Sequence, residues 1–404
     1  MREDEADAGA PPPGLAVTTP AGRAPIAWGE VAKWAAVGLL VLLAAIGVDV
    51  RLRGGSNPLS LIQPGQKGPS PELFAQDFPN DELPQDQGLD GQQYYAIARN
   101  PLHLDETASN LDYPRYRYQR PLLPFTAWAL HPTGGGTPLV LALILVSFAG
   151  IAVLAFASGG LSMALRGPPW VAALVPLLPG AYWSLRVTVS DGLALGLAIA
   201  AVLLSARERR GWAIVVGCLA VLAKEPVILV LLGWSISRRT WRDGLLTVIP
   251  GAVIVGWMAW LTALLPPDAA RTKDIGPPLE GVARAWSELW SHGDERQAMV
   301  CVAAGLLLAV AALVRRGVRH PLGWPIVIQL GFLAVMGENP LGIDFGGTRM
   351  ALPIAVLSIL ALASPYGDAA LPRTGWRPGR APDQPPAAAV GEADAVTAPA
   401  TAPV

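Results

Sequence analysis

The chain has 404 residues, of which 52% are hydrophobic and only 15% charged, and its formal net charge is -1. So even a balance carries no field that would recruit nucleic acid, and apolar residues gathered into long runs are a membrane composition rather than that of a water-soluble domain. Two cysteines, Cys218 and Cys301, both lie inside apolar runs, where each reads as a small packed side chain and not as half of a disulfide or a metal ligand.

In chain order, residues 1–28 are rich in Ala, Pro and acidic side chains and read as a disordered cytoplasmic tail. The first apolar run, 31–50, follows an acidic leader with no small-residue cleavage pattern after it, so a retained span is expected. Further runs occupy 137–159, 168–185, 192–205, 245–265, 298–314, 324–336 and 350–363. Several are shorter than the roughly 20 residues of a perpendicular span and must extend into flanking polar residues. A second Ala/Pro-rich tail fills 367–404. The fold expected is all-α: a polytopic transmembrane helix bundle of about ten spans over 29–366, with a large first external loop, 51–136, containing interfacial helices.

Sidedness follows from arginine. Three short loops are strongly basic: Arg207, Arg209 and Arg210; Arg238, Arg239 and Arg242; Arg315, Arg316 and Arg319. The positive-inside bias places all three in the cytoplasm. Residues 212–236, interrupted by Lys224-Glu225-Pro226, must then form a hairpin of two short helices, because a single crossing would separate the first two loops. Both termini are thereby cytoplasmic, in a cytoplasmic membrane. Residues 51–136, the turn at Asp191, 266–297, 337–349 and the hairpin tip all fall outside. Arg51 and Arg53, directly after the first span, run against this assignment and are outweighed by the three later loops.

The outer segments hold the polar chemistry. Five of the seven tyrosines fall in 51–136, which places that loop at the membrane interface. Asp90 opens Asp90-Gly91-Gln92-Gln93-Tyr94-Tyr95, where it is either a helix cap paired with Gln93 or a general base. Arg115, Arg117 and Arg120, interleaved with tyrosines, either anchor the loop to anionic head groups or clamp a lipid-borne phosphate with their planar forks. Residues 121–131 read as a short helix lying in or dipping into the membrane surface. Asp191 is a helix cap or a site carboxylate. Lys224 and Glu225, adjacent in an apolar stretch, call for a polar cavity or water. Asp344 and Arg349 flank the glycines before the last run, and Arg349 is a snorkelling anchor or a phosphate ligand. One face thus gathers Asp90, Asp191, Lys224, Glu225, Asp344 and Arg349. Such a pocket suits a substrate with a greasy tail and a charged head. No P-loop, nucleophile-elbow serine or His/Cys cluster of metal-ligand spacing occurs, so a lipid-linked donor is expected over a free nucleotide sugar.

These features resemble the GT-C superfamily of integral-membrane glycosyltransferases. The resemblance rests on the acidic first external loop with Asp90, the Asp191 turn, the Lys224-Glu225-Pro226 interruption, and Arg349 before the final span with Pro353 after it, and it covers most of 30–363. It implies an inverting transfer from a polyprenyl-phosphate-linked sugar to a cell-envelope acceptor. Asp90 would be the catalytic base, with Tyr94, Tyr95, Arg115, Arg117, Arg120, Asp191, Lys224, Glu225, Asp344 and Arg349 as substrate ligands. Members often use a divalent metal ion, but Gly91 stands here where a second acidic residue would support one. A transporter or flippase of lipid-linked saccharides, and a non-catalytic envelope-assembly component, are the alternative readings. Convergence of these residues under a lipid-accessible groove separates an enzyme from a path open to each face in turn.

Overall fold

A computed structural model describes residues 25–83, 85–268, 274–289, 296–337, 340–341 and 346–365. Asp344 and nearly all of both tails therefore lie outside the described residues. Within them the chain is helical, with two isolated β-bridges and no strand.

Helix α1 (Trp28–Arg53) is followed by five short helices of the first loop: α2 (Pro71–Asp77), α3 (Asp90–Arg99), α4 (Leu104–Ala108), α5 (Pro114–Tyr118) and α6 (Leu122–Leu130). Then come α7 (Thr137–Ala164), α8 (Val171–Leu174), α9 (Pro179–Arg186), α10 (Asp191–Ala206), α11 (Arg210–Ala223), α12 (Ile228–Arg238), α13 (Trp241–Leu264), α14 (Glu280–Leu289), α15 (Arg296–Arg316), α16 (Gly323–Val335) and α17 (Gly346–Ala363). Five of these, α1, α7, α13, α15 and α17, are long and apolar enough to cross a membrane. Helices α10, α11 and α16 are apolar but shorter.

The run at 168–185, expected as one span, is broken. Pro176 and Pro179 each remove a backbone N–H, so α8 passes through a 3-10 turn at Val175–Leu177 into a separate α9. Helix α7 is the spine. It lies alongside α10 at a distance only small residues permit: a Cβ on Gly150 would sit 2.5 Å from the Leu193 Cα, and one on Gly196 would sit 2.6 Å from the Gly150 carbonyl oxygen.

The hairpin expected between the first two arginine loops is present. Helix α11 stops at Ala223, Lys224 is extended, and Glu225–Val227 turns the chain into α12. Pro226 has no N–H with which to carry the α11 hydrogen-bond ladder onward, and it sits instead in the first turn of the 3-10 segment. At the other end of the hairpin, Arg210 and Arg238 both approach Asp243 of α13, at 3.8 and 3.6 Å. Arg316, in the last turn of α15, donates to the Leu362 carbonyl in the last turn of α17 (2.8 Å). Trp28 stacks on Phe156 at 5.3 Å near the C-terminal end of α7. These contacts define an arginine end of the bundle. The first-loop helices and the residues around Asp268 meet at the opposite end, which holds the site.

The first loop packs as a layer of its own. Phe74, Tyr95 and Tyr118 are fully buried and Tyr94 nearly so. Of the five tyrosines expected at an interface, only Tyr113 and Tyr116 are partly exposed. The others fill the layer that α2 to α6 form over the bundle, where each ring buries a large apolar area. Helix α6 covers most of the short surface helix expected at 121–131.

Candidate functional site

The first residue of α3 is Asp90, so its side chain emerges where the helix begins and the chain is anchored from below. Leu89, extended, occupies the cap position, and no side chain caps this helix. The Asp90 carboxylate instead turns outward between two guanidiniums. Oδ1 accepts from Arg117 Nη1 at 2.7 Å and Oδ2 from Arg349 Nη1 at 3.1 Å. Arg117, on α5, also donates through Nε and Nη2 to both carboxylate oxygens of Asp112 (2.8 and 2.6 Å). Arg349, in the first turn of α17, continues the chain of charges to Asp191 Oδ2 at 3.7 Å.

Asp191 does not act as a cap either. It opens α10 after Ser190, and its other oxygen accepts from Lys224 Nζ at 2.5 Å. The hairpin tip is thereby split, because Lys224 and Glu225 do not pair with each other. Glu225 takes a two-pronged bond from Arg120, Nε to Oε2 at 3.0 Å and Nη2 to Oε1 at 2.8 Å, and that guanidinium lies 4.5 Å from the Tyr116 ring. Planar forks of this kind combine charge with directional bonding, and the ring face adds a cation–π contact. Tyr94 closes the group, its hydroxyl sharing a 2.9 Å hydrogen bond with Ser190.

Four cationic side chains (Arg117, Arg120, Lys224, Arg349) thus face four carboxylates (Asp90, Asp112, Asp191, Glu225). The carboxylates neutralise the cations pairwise, which is what permits so many charges beside apolar helices. Burial on its own would lift the Asp90 carboxyl, but Arg117 and Arg349 beside it hold it well below the usual carboxylate range. Burial opposes the charge on Arg117 as well, and Asp90 and Asp112 overcome it. The Tyr94 phenol is pushed up to about 12, chiefly by burial. Exposure differs along the chain: the Asp90 side chain is 31% exposed and Asp191 8%. Behind Asp191, Lys224 and Arg349 a cavity of about 40 Å³ is walled by Gln329, Phe332, Met350 and Pro353. That is room for roughly one to three waters.

Most of the expected residues converge here: Asp90, Tyr94, Arg117, Arg120, Asp191, Lys224, Glu225 and Arg349. Two do not. Tyr95 turns to the other side of α3, donates to Asp77 Oδ2 and accepts from the Gly136 N–H, both at 2.6 Å, while Arg99 grips the same aspartate. Arg115 donates to the carbonyls of Leu265 (Nε, 2.8 Å) and Thr262 (Nη2, 3.1 Å), as a strut between α5 and the end of α13. Asp344 lies outside the described residues. The sequence reading missed Asp112, Ser190, the Tyr116 ring and Gln329. Asp112 had a local signal, since it precedes Tyr113-Pro114 and its carboxylate accepts from the Tyr113 N–H at the start of α5. Gln329 had none.

Among the described residues no group of three or more His, Cys, Asp or Glu side chains is placed to hold a metal ion. At Gly91 a Cβ would lie 2.5 Å from the Ile62 carbonyl oxygen and 2.8 Å from that of Val187, so the close approach of these backbones leaves room for glycine alone beside Asp90. What the site offers is a carboxylate flanked by guanidiniums, with a second acid and an ammonium behind. No protein-family model, curated protein or solved structure matches the chain, so its function is argued from this geometry.

Proposed function

We propose that the chain is a multi-pass glycosyltransferase of the GT-C kind, about ten helical segments crossing the cytoplasmic membrane with both termini cytoplasmic. On its outer face it moves a sugar from a polyprenyl-phosphate donor to a cell-envelope acceptor. The gathering of arginine loops at the end opposite the site supports this orientation. Of the two discordant charges, Arg53 pairs with Asp49 at 3.0 Å, an aspartate that Arg186 also binds, and Arg51 is outweighed by the arginine loops.

The observation that carries the reading is Asp90 held between Arg117 and Arg349. While both guanidiniums grip it, the carboxylate is a weak base. A donor phosphate that takes over Arg349, with Lys224 behind it, loosens that grip and makes Asp90 more basic at the moment the substrate is in place. The acceptor hydroxyl then attacks the anomeric carbon and its proton passes to Asp90. The sugar–oxygen bond breaks with its electron pair going to the phosphate, which stays paired to the cations. One base suffices because phosphate is a competent leaving group.

The test is transfer of labelled sugar from lipid-linked donors to envelope lipid extract by the purified protein in nanodiscs. Asp90→Asn keeps size and removes the proton acceptor, and turnover is expected to fall roughly 100-fold to 10,000-fold with folding intact. Near-normal turnover in that variant would remove Asp90 from the chemistry. Donor binding without transfer by the wild-type protein would favour a carrier of lipid-linked saccharides.

A further inference from the structure

At the arginine end the hairpin is tied to α13 by a knot of four charges. Glu208 pairs with Arg210 at 2.7 Å and with Arg238 at 3.4 Å, and Asp243 lies within 3.8 Å of both arginines. Asp243 also accepts from the hydroxyls of Ser205 (3.2 Å) and Thr240 (2.6 Å). Two arginines are consumed in this way. Their neighbours are not: Arg209 sits between Glu208 and Arg210, Arg239 follows Arg238, and Arg242 precedes Asp243, so three exposed arginines directly flank the members of the knot.

Two indoles border it. Trp212 and Trp241, in the first turns of α11 and α13, are 67% and 71% exposed, and Arg242 lies 5.5 Å over the Trp241 ring. From each indole an exposed apolar stripe runs away from the arginines at helical spacing, Val215 and Leu219 on α11, Val248 and Val255 on α13. Both helices start at this end and pack against each other.

We infer that this patch is a binding site for an anionic phospholipid of the adjoining leaflet, its phosphate held by Arg209, Arg239 and Arg242 and its acyl chains lying along the two stripes. Tryptophan at head-group level and clustered arginine are the two features that such a lipid recognises, and here the ion-pair knot places them together. The inference rests on the membrane reading of the chain and not on sugar transfer, so its failure leaves the proposed reaction standing.

Native mass spectrometry of the full-length protein in mild detergent, titrated with phosphatidylglycerol or phosphatidylcholine of identical chains, tests it. Wild-type protein retains phosphatidylglycerol preferentially. R209Q/R239Q/R242Q is expected to lower that retention on the order of 10-fold to 100-fold, the corresponding Arg→Lys triple to restore most of it, and W212A/W241A to weaken retention of both lipids. R166Q, an exposed arginine at the same end outside the patch, should change nothing. Melting is followed for every variant, and the three single Arg→Gln variants replace the triple if it unfolds early. Undiminished phosphatidylglycerol retention by the Gln variants, an equal loss in R166Q, or displacement of the lipid by inorganic phosphate would each overturn the site.

Discussion

The tip and the base of the α11–α12 hairpin carry the same chemistry, cations facing carboxylates, under different constraints. At the base, Asp243 is 1% exposed, sits in the first turn of α13, and is satisfied by two hydroxyls before either arginine is counted. Its partners come from the short stretch between Ser205 and Asp243. At the tip, Asp90 is 31% exposed and its two partners lie 27 and 259 residues away, on elements that meet only there. A knot built from close neighbours with every acceptor used behaves as a fastener. A junction of separate elements beside a cavity can exchange a carboxylate for a ligand anion. Similar ion pairs are thus a fastener in one place and, on the proposed function, a substrate site in the other.

The largest effect that sharpens this contrast should come from Asp191. Asp191→Ala leaves Lys224 and Arg349 buried without their shared carboxylate, and a loss of about 3–5 kcal/mol in unfolding free energy is expected for breaking such a pair. Adding Lys224→Met should recover part of that stability while turnover stays low, as coupled sites do in a double-mutant cycle. Unchanged denaturant midpoints in the single variant would mean that the tip charges are solvated and the network is not real.

Next in size is Asp243→Asn. Loss of one charged acceptor with the hydroxyl partners kept should cost about 1–3 kcal/mol, and sugar transfer per folded molecule should be unaltered. If this variant loses turnover as Asp90→Asn does, the division between fastener and site collapses.

The pH dependence of Asp90 is a smaller signal with a definite sign. Its folded-state pKa is depressed by Arg117 and Arg349 below the ordinary value of about 3.9. The stability this pairing contributes is therefore fully present above about pH 4 and is lost as pH falls through the folded value. The melting difference between wild type and Asp90→Asn should stay constant from about pH 8 to 5 and close only below about pH 4. A difference that stays flat as pH falls through about 4 and below would show the carboxylate to be unpaired.

Smallest is Arg115→Gln. Its guanidinium spends its bonds on the carbonyls of Leu265 and Thr262, so turnover should change less than about 3-fold, with at most about 1–2 kcal/mol of stability lost. Arg117→Gln, two residues on, should lose far more activity. Equal effects of the two substitutions would return both arginines to the role of plain surface anchors.

How much of this was legible before folding is clear from particular residues. Apolar runs separated by arginine loops announced a helical membrane chain, and the placement of three basic loops on one face required a hairpin at Lys224-Glu225-Pro226, which is where α11 stops and α12 begins. The break between α8 and α9 was written in Pro176 and Pro179, although the run was read as continuous. Which residues of the polar segments face inward was not legible. Tyr94 and Tyr95 differ by one position, about 100° around a helix, and so reach Ser190 and Asp77 on different sides of α3. Arg115 and Arg117 lie about 200° apart on α5 for the same reason.

Composition, hydropathy and charge order are properties of the chain itself, and they were enough for an all-helical chain with apolar helices long enough to cross a membrane, the hairpin and most of the charged residues at one end. The partner of each charge is a property of space. Asp90 meets Arg349, and Lys224 parts from Glu225 toward Asp191, only because the packing of α3, α10, α17 and the hairpin tip brings distant segments within a few ångströms, where a buried charge must find an opposite one.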